Sequence, residues 1–473
     1  MKPTLKYLSD PEIELLHKSS LDILVNIGIR FPHPEALECF AAAGATIEGD
    51  VVKIPAALVD KALETVPKRD ELILYGRDRK HDISFTDHTP RIACMTMAVN
   101  VIDPFSGEKR LATDEDLANL TTLADQLPGI SVNGGLVTPQ DVPGAYNDWY
   151  TWATTIKNTT KHITGGMLGK ECVRDAVKMC AVAMDCSEEE VLERPPISGW
   201  MLTLPPLGHD LESLDATIEM AKLKIPMMLS SGPIMGVTSP VTIAGTIAQT
   251  NAEILAVIVL TQLINPGAPL VYTSFARSSN MASGDISMSS PECAILKASM
   301  AQMGMHYNLP IRMPSMLRDT KVLDAQAGFE TGMVGSISAY GADLMDSMQL
   351  DMDLVVDFPD LVFCNECIGA IERLTREVVV DETTLALDVI MEAGIGGEFL
   401  SNSHTFKNFR ANLWMPKLIE RRNWEFWEQQ GKQTVIEKAT AIVRNMLENP
   451  PEKLLTEEVE AAIDKIVMDA QAQ

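Results

Sequence analysis

Basic and aromatic side chains are both scarce in this chain of 473 residues. There are 39 Lys and Arg against 65 Asp and Glu, which gives a net charge of −26, and aromatic residues make up only 5%. A chain this acidic is repelled by phosphate backbones and by anionic lipid surfaces. The composition therefore argues against a nucleic-acid partner and against binding to a membrane surface.

Long uninterrupted apolar runs are also missing. The most apolar stretch, residues 240–264, contains Thr, Gln, Asn and Glu, so it does not read as a membrane span. The N-terminal residues MKPTLKYLSDPEIELL lack the apolar region of a signal peptide. Eight cysteines without a regular spacing are typical of reduced thiols. Together these features predict a cytoplasmic protein.

Familiar catalytic and metal-binding motifs are absent as well. We find no H-E-x-x-H, no P-loop and no nucleophile-elbow pattern. Cys364 and Cys367 form a C-x-x-C, but no second pair and no nearby histidine completes a zinc site. Two buried thiols on one helix are the favoured interpretation. The sequence thus predicts neither a bound metal nor a catalytic acid, base or nucleophile.

Residues 225–270 form the clearest structural unit in the sequence. Ile225 to Leu229 is a short apolar run suited to a buried strand, and Ser239-Pro240 begins a helix that extends to about Ile264. Asn265-Pro266-Gly267 ends that helix, and a new strand follows. This is a βαβ unit whose helix carries almost no charge except Glu253, so it must be covered on most sides.

The same alternation of strand and helix recurs eight times. Eight successive units favour a closed (β/α)8 TIM barrel over a doubly wound open sheet, which explains the alternation equally well pair by pair. We predict a small α+β cap over residues 1–90, the barrel over 91–380 and a helical C-terminal extension over 381–473. The predicted strands lie near 93–101, 130–137, 161–165, 197–203, 226–231, 270–275, 310–315 and 342–346. The predicted helices lie near 114–126, 145–158, 170–185, 210–223, 240–264, 291–307, 321–340 and 363–378.

A barrel places its chemistry at the C-terminal ends of its strands, which directs attention to strands six to eight. The predicted substrate-binding residues there, with one from a later segment, are Tyr272, Phe275, Arg277, Arg312, Met316, Arg318, Asp346 and His404. Tyr272 and Phe275 cannot both point inward unless the strand ends before Phe275, which we expect. Arg312 has two interpretations, because either Asp346 or a substrate carboxylate can be its anionic partner. Arg318 is the other candidate for holding a carboxylate.

Three segments resemble one protein family over nearly the whole chain. They are SSGPIMGVTSPVTIAGTIAQTNAEILAVIVLTQLINPGAPL at 230–270, KVLDAQAGFE at 321–330 and GGEFLSNSHTFKNFR at 396–410, supported by PHPEAL and AGATIEGDVVKIP near the start. On these motifs the chain resembles the trimethylamine methyltransferase family. The resemblance implies a (β/α)8 barrel that passes a methyl group to the Co(I) corrinoid of a small partner protein.

The trimethylamine enzymes of this family carry pyrrolysine shortly before the second motif, where this chain has ordinary residues such as Leu317 and Arg318. The chain is therefore similar to the non-pyrrolysine branch, which includes glycine betaine:corrinoid methyltransferase. A quaternary ammonium already has a neutral amine as its leaving group. Its methyl transfer needs orientation and a dry pocket rather than a catalytic side chain. Aromatic and Met side chains suit the ammonium, and Arg suits a betaine carboxylate.

Two other functions stay open at this point. One is a zinc-dependent corrinoid methyltransferase for another methyl donor, which needs a Cys/His cluster at the strand ends. The other is a protein that binds quaternary ammonium compounds without catalysis. We also expect a homo-oligomer, because of the uncharged 240–264 helix, Trp414, Trp424 and Trp427, and the resemblance. Core burial of that helix within one subunit is the alternative.

Overall fold

Eight parallel strands close into a barrel in chain order, which confirms the predicted fold class. The computed structural model describes residues 3–87, 89–95 and 97–472. Leu344 to Asp346 of the last strand pair with Arg91 to Ala93 of the first, and this pairing closes the barrel. The strands are β1 (Arg91–Ala93), β2 (Val132–Gly134), β3 (His162–Gly166), β4 (Ile197–Leu202), β5 (Met227–Ser231), β6 (Leu270–Ser274), β7 (Ile311–Pro314) and β8 (Leu344–Asp346).

Helices on the outside connect these strands. Several begin at a side chain that accepts a hydrogen bond from the first turn, as Asp210 and Ser290 do, because the first amides of a helix have no partner within it. The helices after β1 to β6 are Asp114–Gln126, Asn147–Asn158, Gly169–Met184 followed by Glu188–Glu193, Leu211–Leu223, Ile243–Ile264 and Pro291–His306. Phe358–Leu374 follows β8.

The first strand is shorter and begins earlier than predicted, and it overlaps the predicted span 93–101 only at Ala93. Only Arg91–Ala93 joins the barrel, while Asn100–Ile102 pairs with Lys109–Leu111 and Val355–Asp357 in a separate sheet. The second half of the predicted strand therefore pairs with the other strand of a hairpin, Lys109–Leu111, instead of joining the barrel. Thr96, within the predicted span, lies outside the described residues.

The helix after β7 also differs from the prediction. It begins late because Asp324 accepts hydrogen bonds from the amides of Gln326 and Ala327, which places its first turn at Ala325. Its middle turn is a π-helix, a feature found often beside functional sites. The three segments are Ala325–Glu330, Thr331–Gly335 and Ser336–Ala339.

The N-terminal region covers one side of the barrel and plugs its bottom. Its helices Asp10–Asn26, Pro34–Ala42 and Ala56–Thr65 pack on Ile243–Ile264, and its strands are Ile29–Arg30, Thr46–Glu48 and Val51–Lys53. A short pairing of Ile73–Leu74 with Ile83–Ser84 then enters the N-terminal end of the barrel. This region completes the core rather than forming a detached cap.

Burial of helix Ile243–Ile264 removes one reason for expecting an oligomer. The helix is long and apolar enough to cross a membrane, but 83% of its most apolar window is buried inside this fold. Its cover comes from the N-terminal helices of the same chain. The alternative of burial within one subunit is therefore correct, and the helix is a core helix of a soluble-type barrel.

The C-terminal region consists of two kinds of helices. Val435–Glu448 packs on Phe358–Leu374, and Glu457–Gln471 packs on Gly169–Met184, so both belong to the body of the molecule. The shorter helices before them bury no residue. These are Glu382–Leu385, Leu387–Ala393, Ser403–Asn412 and Trp424–Gln429.

Candidate active site at the barrel mouth

The lower part of the barrel interior is closed by apolar side chains. Those from the strands are Ala93, Val132, Met228, Val271 and Leu344, and those from the N-terminal plug are Leu72, Leu74, Ile83 and Phe85. All are buried, so this end has no room for a substrate. Access to the interior is therefore from the C-terminal ends of the strands.

A neutral histidine links two strands above this layer. The Nε2 of His162 lies 2.9 Å from the Ser198 hydroxyl oxygen, and its Nδ1 lies 2.9 Å from the Tyr75 carbonyl oxygen. The carbonyl can only accept, so the proton resides on Nδ1. Burial lowers the pKa of His162 to about 4. The residue is a neutral spacer in the interior.

A buried ion pair spans the next level of the interior. Arg312 on β7 donates to the Asp346 carboxylate on β8, and its Nη1 lies 3.3 Å from the Ser230 hydroxyl on β5. Burial raises the pKa of Asp346, and the neighbouring Arg312 opposes that effect. Of the two interpretations of Arg312, the pairing with Asp346 is the one observed.

Two half-buried aromatic rings face the barrel interior, one in the middle of β4 against the lower apolar layer and one just past the end of β6. Trp200 on β4 donates its indole N–H to the Thr164 hydroxyl at 2.9 Å. Phe275 directly follows Ser274, the last residue of β6, as expected. Because side chains alternate along a strand, Phe275 continues the inward face of Val271. The mouth therefore presents aromatic surface.

Two cationic side chains accompany these rings. The Arg277 guanidinium lies 5.1 Å from the centre of the Phe275 ring. Its Nε is buried without a hydrogen-bond partner among the described residues. Lys297 is 3% exposed, and its Nζ donates to the Met288 carbonyl at 3.2 Å. Burial lowers the pKa of Lys297, and the nearby Arg277 also lowers it. Both cations favour an anionic ligand.

Gln349, in the loop after β8, has a side-chain amide without hydrogen-bond partners among the described residues. It is fully buried, yet neither its amide nitrogen nor its amide oxygen has a hydrogen-bond partner within the described ranges. Buried amides are nearly always paired, so an unpaired one marks a place for a polar ligand or water. Its backbone carbonyl, by contrast, accepts from the Arg318 amide at 3.0 Å.

The structure does not bring four of the predicted residues into this group. Tyr272 points to the helix layer, where its hydroxyl donates to Asn251 at 2.8 Å, because it alternates with the inward Val271. Met316 is fully buried in the outer hydrophobic core. Arg318 is fully buried in a two-pronged pair with Asp360, one contact being 2.7 Å. Arg318 is therefore not available to a substrate carboxylate.

His404, the remaining predicted residue, lies in the first turn of helix Ser403–Asn412 within an exposed segment. Its amide donates to the Asn402 side chain and its carbonyl accepts from Asn408. Asn402 caps this helix, and the described hydrogen bonds of His404 are local to it. The group at the mouth thus retains Phe275, Arg277, Arg312 and Asp346 from the predicted set.

Sequence reasoning missed Trp200, Lys297 and Gln349. A signal existed for Lys297, because a single lysine within the apolar run ECAILKASMAQM is unusual for a barrel helix. Trp200 lies in a strand that was predicted, and its inward direction follows once the alternation is fixed by a neighbour. Gln349 has no signal in the sequence, since its importance comes only from its missing partners.

Exposed apolar side chains surround the mouth. Six of them, each from the last residue of a different strand or the loop after it, define what we call the apolar rim: Met97, Leu168, Leu202, Val241, Met281 and Val322. A cleft of about 580 Å³ opens in the same face between the loops after β5 to β8, lined in part by Val241, Met281, Asp319 and Lys321. Apolar side chains concentrated around a site mark a surface that another molecule covers.

No metal-binding cluster is found in residues 3–87, 89–95 and 97–472, where no three His, Cys, Asp or Glu side chains come together to hold an ion. Cys364 and Cys367 are free thiols on helix Phe358–Leu374, and Cys364 is fully buried beside Asp360. Nothing in those residues supports the zinc-dependent alternative.

These features define a TIM barrel with aromatic and cationic side chains toward the C-terminal ends of its strands. The family model described as "Trimethylamine methyltransferase (MTTB)" matches residues 1–473. The chain belongs to this family and is a methyltransferase.

Relatives and solved structures agree with this assignment. Trimethylamine methyltransferase MttB of Desulfitobacterium hafniense is 31% identical over 98% of this chain and 93% of its own length. Glycine betaine methyltransferase of the same species is 29% identical over 98% and 97%. The monomethylamine methyltransferase of Methanosarcina barkeri superposes with a TM-score of 0.52 at 13% identity, over 92% of this chain and 86% of that one, and supports the fold.

Proposed function

We propose that this enzyme transfers a methyl group from a quaternary amine bearing a carboxylate, such as glycine betaine or a related betaine, to the Co(I) corrinoid of a separate protein. The observation that carries this proposal is the pairing of aromatic surface with buried cations at one end of the barrel. A betaine has a cationic head and an anionic tail, and the mouth offers a complement to each.

The chemistry of a quaternary ammonium explains why the mouth lacks an obvious acid or base. The reduced cobalt of a corrinoid supplies the nucleophile, and the departing tertiary amine is neutral. Opposite charges disappear along this path, so exclusion of water favours the reaction. The protein then has to hold one N-methyl group toward the open end, which is a task of orientation.

Each part of the mouth has a role in this orientation. The faces of Trp200 and Phe275 receive the methylated ammonium, and the buried Asp346, the last residue of β8, supplies a carboxylate in the same interior. Arg277 and Lys297 hold the carboxylate of the substrate, and the unpaired amide of Gln349 provides a further polar contact. Arg312 pairs with the Asp346 carboxylate and holds it in place.

The methyl acceptor must approach along the barrel axis, because the opposite end is plugged. The apolar rim surrounds that approach at the ends of six strands or on the loops after them. A partner protein that presents its corrinoid to the mouth would cover these side chains. The chain itself is not expected to bind a cofactor, and the cytoplasmic location stays a prediction.

Trimethylamine is the competing methyl donor, since it appears in the name of the family model and of several relatives. Its methyl transfer would expel an unstable amide anion unless the amine is first activated. The residues Leu317 and Arg318 are ordinary, and Arg318 is engaged by Asp360. These observations favour the quaternary amine.

The test compares two methyl donors that differ in the carboxylate. Arg277→Met and Lys297→Met should each raise the KM for glycine betaine by a factor of about 10–100, the loss of a charge-assisted contact of ~1.5–3 kcal/mol. The KM for choline, which lacks the carboxylate, should change little. Turnover is followed with reduced corrinoid protein, and thermal melting checks the fold.

Arg174→Met is the matched control, because the half-exposed Arg174 on helix Gly169–Met184 pairs with Glu219 on the neighbouring helix Leu211–Leu223. It should leave both KM values unchanged. If the two mouth variants fold and turn over glycine betaine with the wild-type KM, the carboxylate site is assigned wrongly.

A further inference from the structure

The loop after β8, residues 347–354, has a strained backbone, and we call it the β8 loop. Four of the ten non-glycine residues with positive φ in the described chain lie in it, namely Ser347, Asp351, Met352 and Asp353, with φ of 69°, 53°, 58° and 83°. Aspartate tolerates this left-handed region as a single residue, but three such residues in succession, with a methionine among them, are unfavourable for L-amino acids. Backbone outliers of this kind persist only where the surroundings enforce them, and they cluster at functional sites.

Contacts with the loop after β7 enforce this conformation. The amide of Asp351 donates to the Thr320 carbonyl at 2.8 Å, and the amide of Met352 donates to the Arg318 carbonyl at 2.9 Å. The Asp351 carboxylate also lies 3.1 Å from the Lys321 ammonium. These contacts hold the first two residues of the left-handed turn against the loop after β7, and this positions the third.

The third residue of the turn, Asp353, lies beside the cation that the proposed function assigns to the substrate carboxylate. Met352, directly before it, lines the cleft of about 580 Å³ together with Ser278, which directly follows Arg277. Burial lowers the pKa of Arg277, and the nearby charge of Asp353 opposes that effect. Because the pKa of Arg277 stays below its ordinary value, Asp353 compensates the cation only in part.

Two buried polar groups at this end of the barrel have unused hydrogen-bonding capacity. The Nε of Arg277 has no hydrogen-bond partner among the described residues, and the same is true of both amide atoms of Gln349 in the β8 loop. Buried groups of this type are nearly always paired, so their state indicates a place for a ligand. Arg277 therefore has an internal carboxylate nearby and still has capacity for an external one.

We propose that Asp353 competes with the substrate carboxylate for Arg277 and thereby selects donors that also carry an ammonium group. In the empty site Asp353 partly neutralises Arg277 and repels simple anions such as acetate. A betaine displaces it, because the ammonium gains the aromatic faces while the carboxylate takes the place of Asp353. Strain in the turn lowers the cost of moving Asp353 aside. This selectivity rests on the proposed function, in which Arg277 holds the substrate carboxylate.

Asp353→Asn tests the competition, because it removes the charge but keeps the size of the side chain and the tolerance of positive φ. Binding is measured by calorimetry without corrinoid protein. The Kd for glycine betaine should fall at least ~5-fold and the Kd for acetate at least ~10-fold, since a like charge beside the bound carboxylate is lost. The Kd for choline, which has no carboxylate, should not fall. Asp353→Gly, which also accepts positive φ, should give the same result.

Asp351→Asn is the matched control. It removes the same charge from the same turn, but from a carboxylate that pairs with Lys321 and Lys109. It should leave all three Kd values unchanged. In an Arg277→Met background, Asp353→Asn should also have no effect on the binding of glycine betaine, because its action depends on the cation at position 277.

Unchanged or weaker binding of glycine betaine by both Asp353 variants would overturn the inference, and so would an equal tightening of choline. These results differ from failure of the proposed function. That failure would appear as a wild type that binds no glycine betaine, or as an Arg277→Met variant that binds it as tightly as the wild type, and in either case the inference falls with it.

Discussion

Charged residues buried near the mouth fall into two groups with different tasks. Arg312 with Asp346, and Arg318 with Asp360, are ion pairs inside the protein, although the Nε of Arg318 has no hydrogen-bond partner among the described residues. Arg277 and Lys297 donate to no carboxylate among the described hydrogen bonds, although acidic groups lie near both. Paired charges hold the structure together, whereas cations with spare donors are free to bind a ligand.

Asp357 provides a test of these buried charges by pH. It is 7% exposed beside Asp360. Burial raises its pKa to about 7, with Asp360 adding to the effect. The folded state therefore binds more protons than the unfolded state between pH ~4 and ~7. The contribution of Asp357 to the unfolding free energy therefore falls as pH rises through that window.

Asp357→Asn should remove this loss. Relative to the wild type, the variant should gain on the order of 2–3 kcal/mol in unfolding free energy between pH 5 and pH 8, measured by urea unfolding. An unchanged difference between variant and wild type across this range would mean that the carboxyl titrates as an ordinary aspartate.

The sequence predicted the position of some of these residues but not of others. The strand alternation allowed Phe275 to be placed beyond the end of β6. It did not reveal that Arg318 would meet Asp360, because the two lie 42 positions apart and the contact depends on the tertiary path of the loop after β7. Partners distant in sequence are the part of a site that composition and spacing do not encode.

At the scale of elements, buried polar contacts fix the loops that form the mouth. Glu253, the one charge in helix Ile243–Ile264, accepts hydrogen bonds from Thr203 and Ser231 at 2.7 Å and from the Leu207 amide at 2.9 Å. It thereby ties the loop after β4 to the end of β5. The charge noted in the sequence has a structural role rather than a place in the pocket.

Arg318 ties together two further elements, the loop after β7 and helix Phe358–Leu374. Arg318→Met should reduce the unfolding free energy by about 3–5 kcal/mol, because Asp360 is left as an unpaired buried charge. Urea unfolding measures the effect. The double variant Arg318→Met with Asp360→Leu is the control and should recover much of the loss.

A stable Arg318→Met protein with a raised KM for glycine betaine would contradict this account. It would return Arg318 to the role of a carboxylate ligand, which was its role in the sequence-based hypothesis.

Most elements were predictable because their signals are local. Seven of the barrel strands lie within the predicted spans or a residue of them, since short apolar runs between turns specify them directly. The exceptions depend on competition between partners. Asn100–Ile102 pairs in a second sheet, and Asp324 delays the helix after β7.

At the scale of the whole molecule, the two ends of the barrel have different uses. The N-terminal end is plugged by the chain's own residues. The mouth is open and surrounded by the apolar rim. The proposed corrinoid partner can therefore approach only at the mouth.

The most direct test of the central claim is the product of a single reaction. Purified enzyme is incubated with glycine betaine and a partner corrinoid protein reduced to Co(I), after a thermal-shift screen of betaines, carnitine and choline for binding. We expect dimethylglycine, or the matching demethylated product of a tighter-binding betaine, in equal amount to the methylated corrinoid. Trimethylamine should give neither product. Binding of a quaternary amine without any demethylated product, or turnover of trimethylamine in its place, would contradict the account.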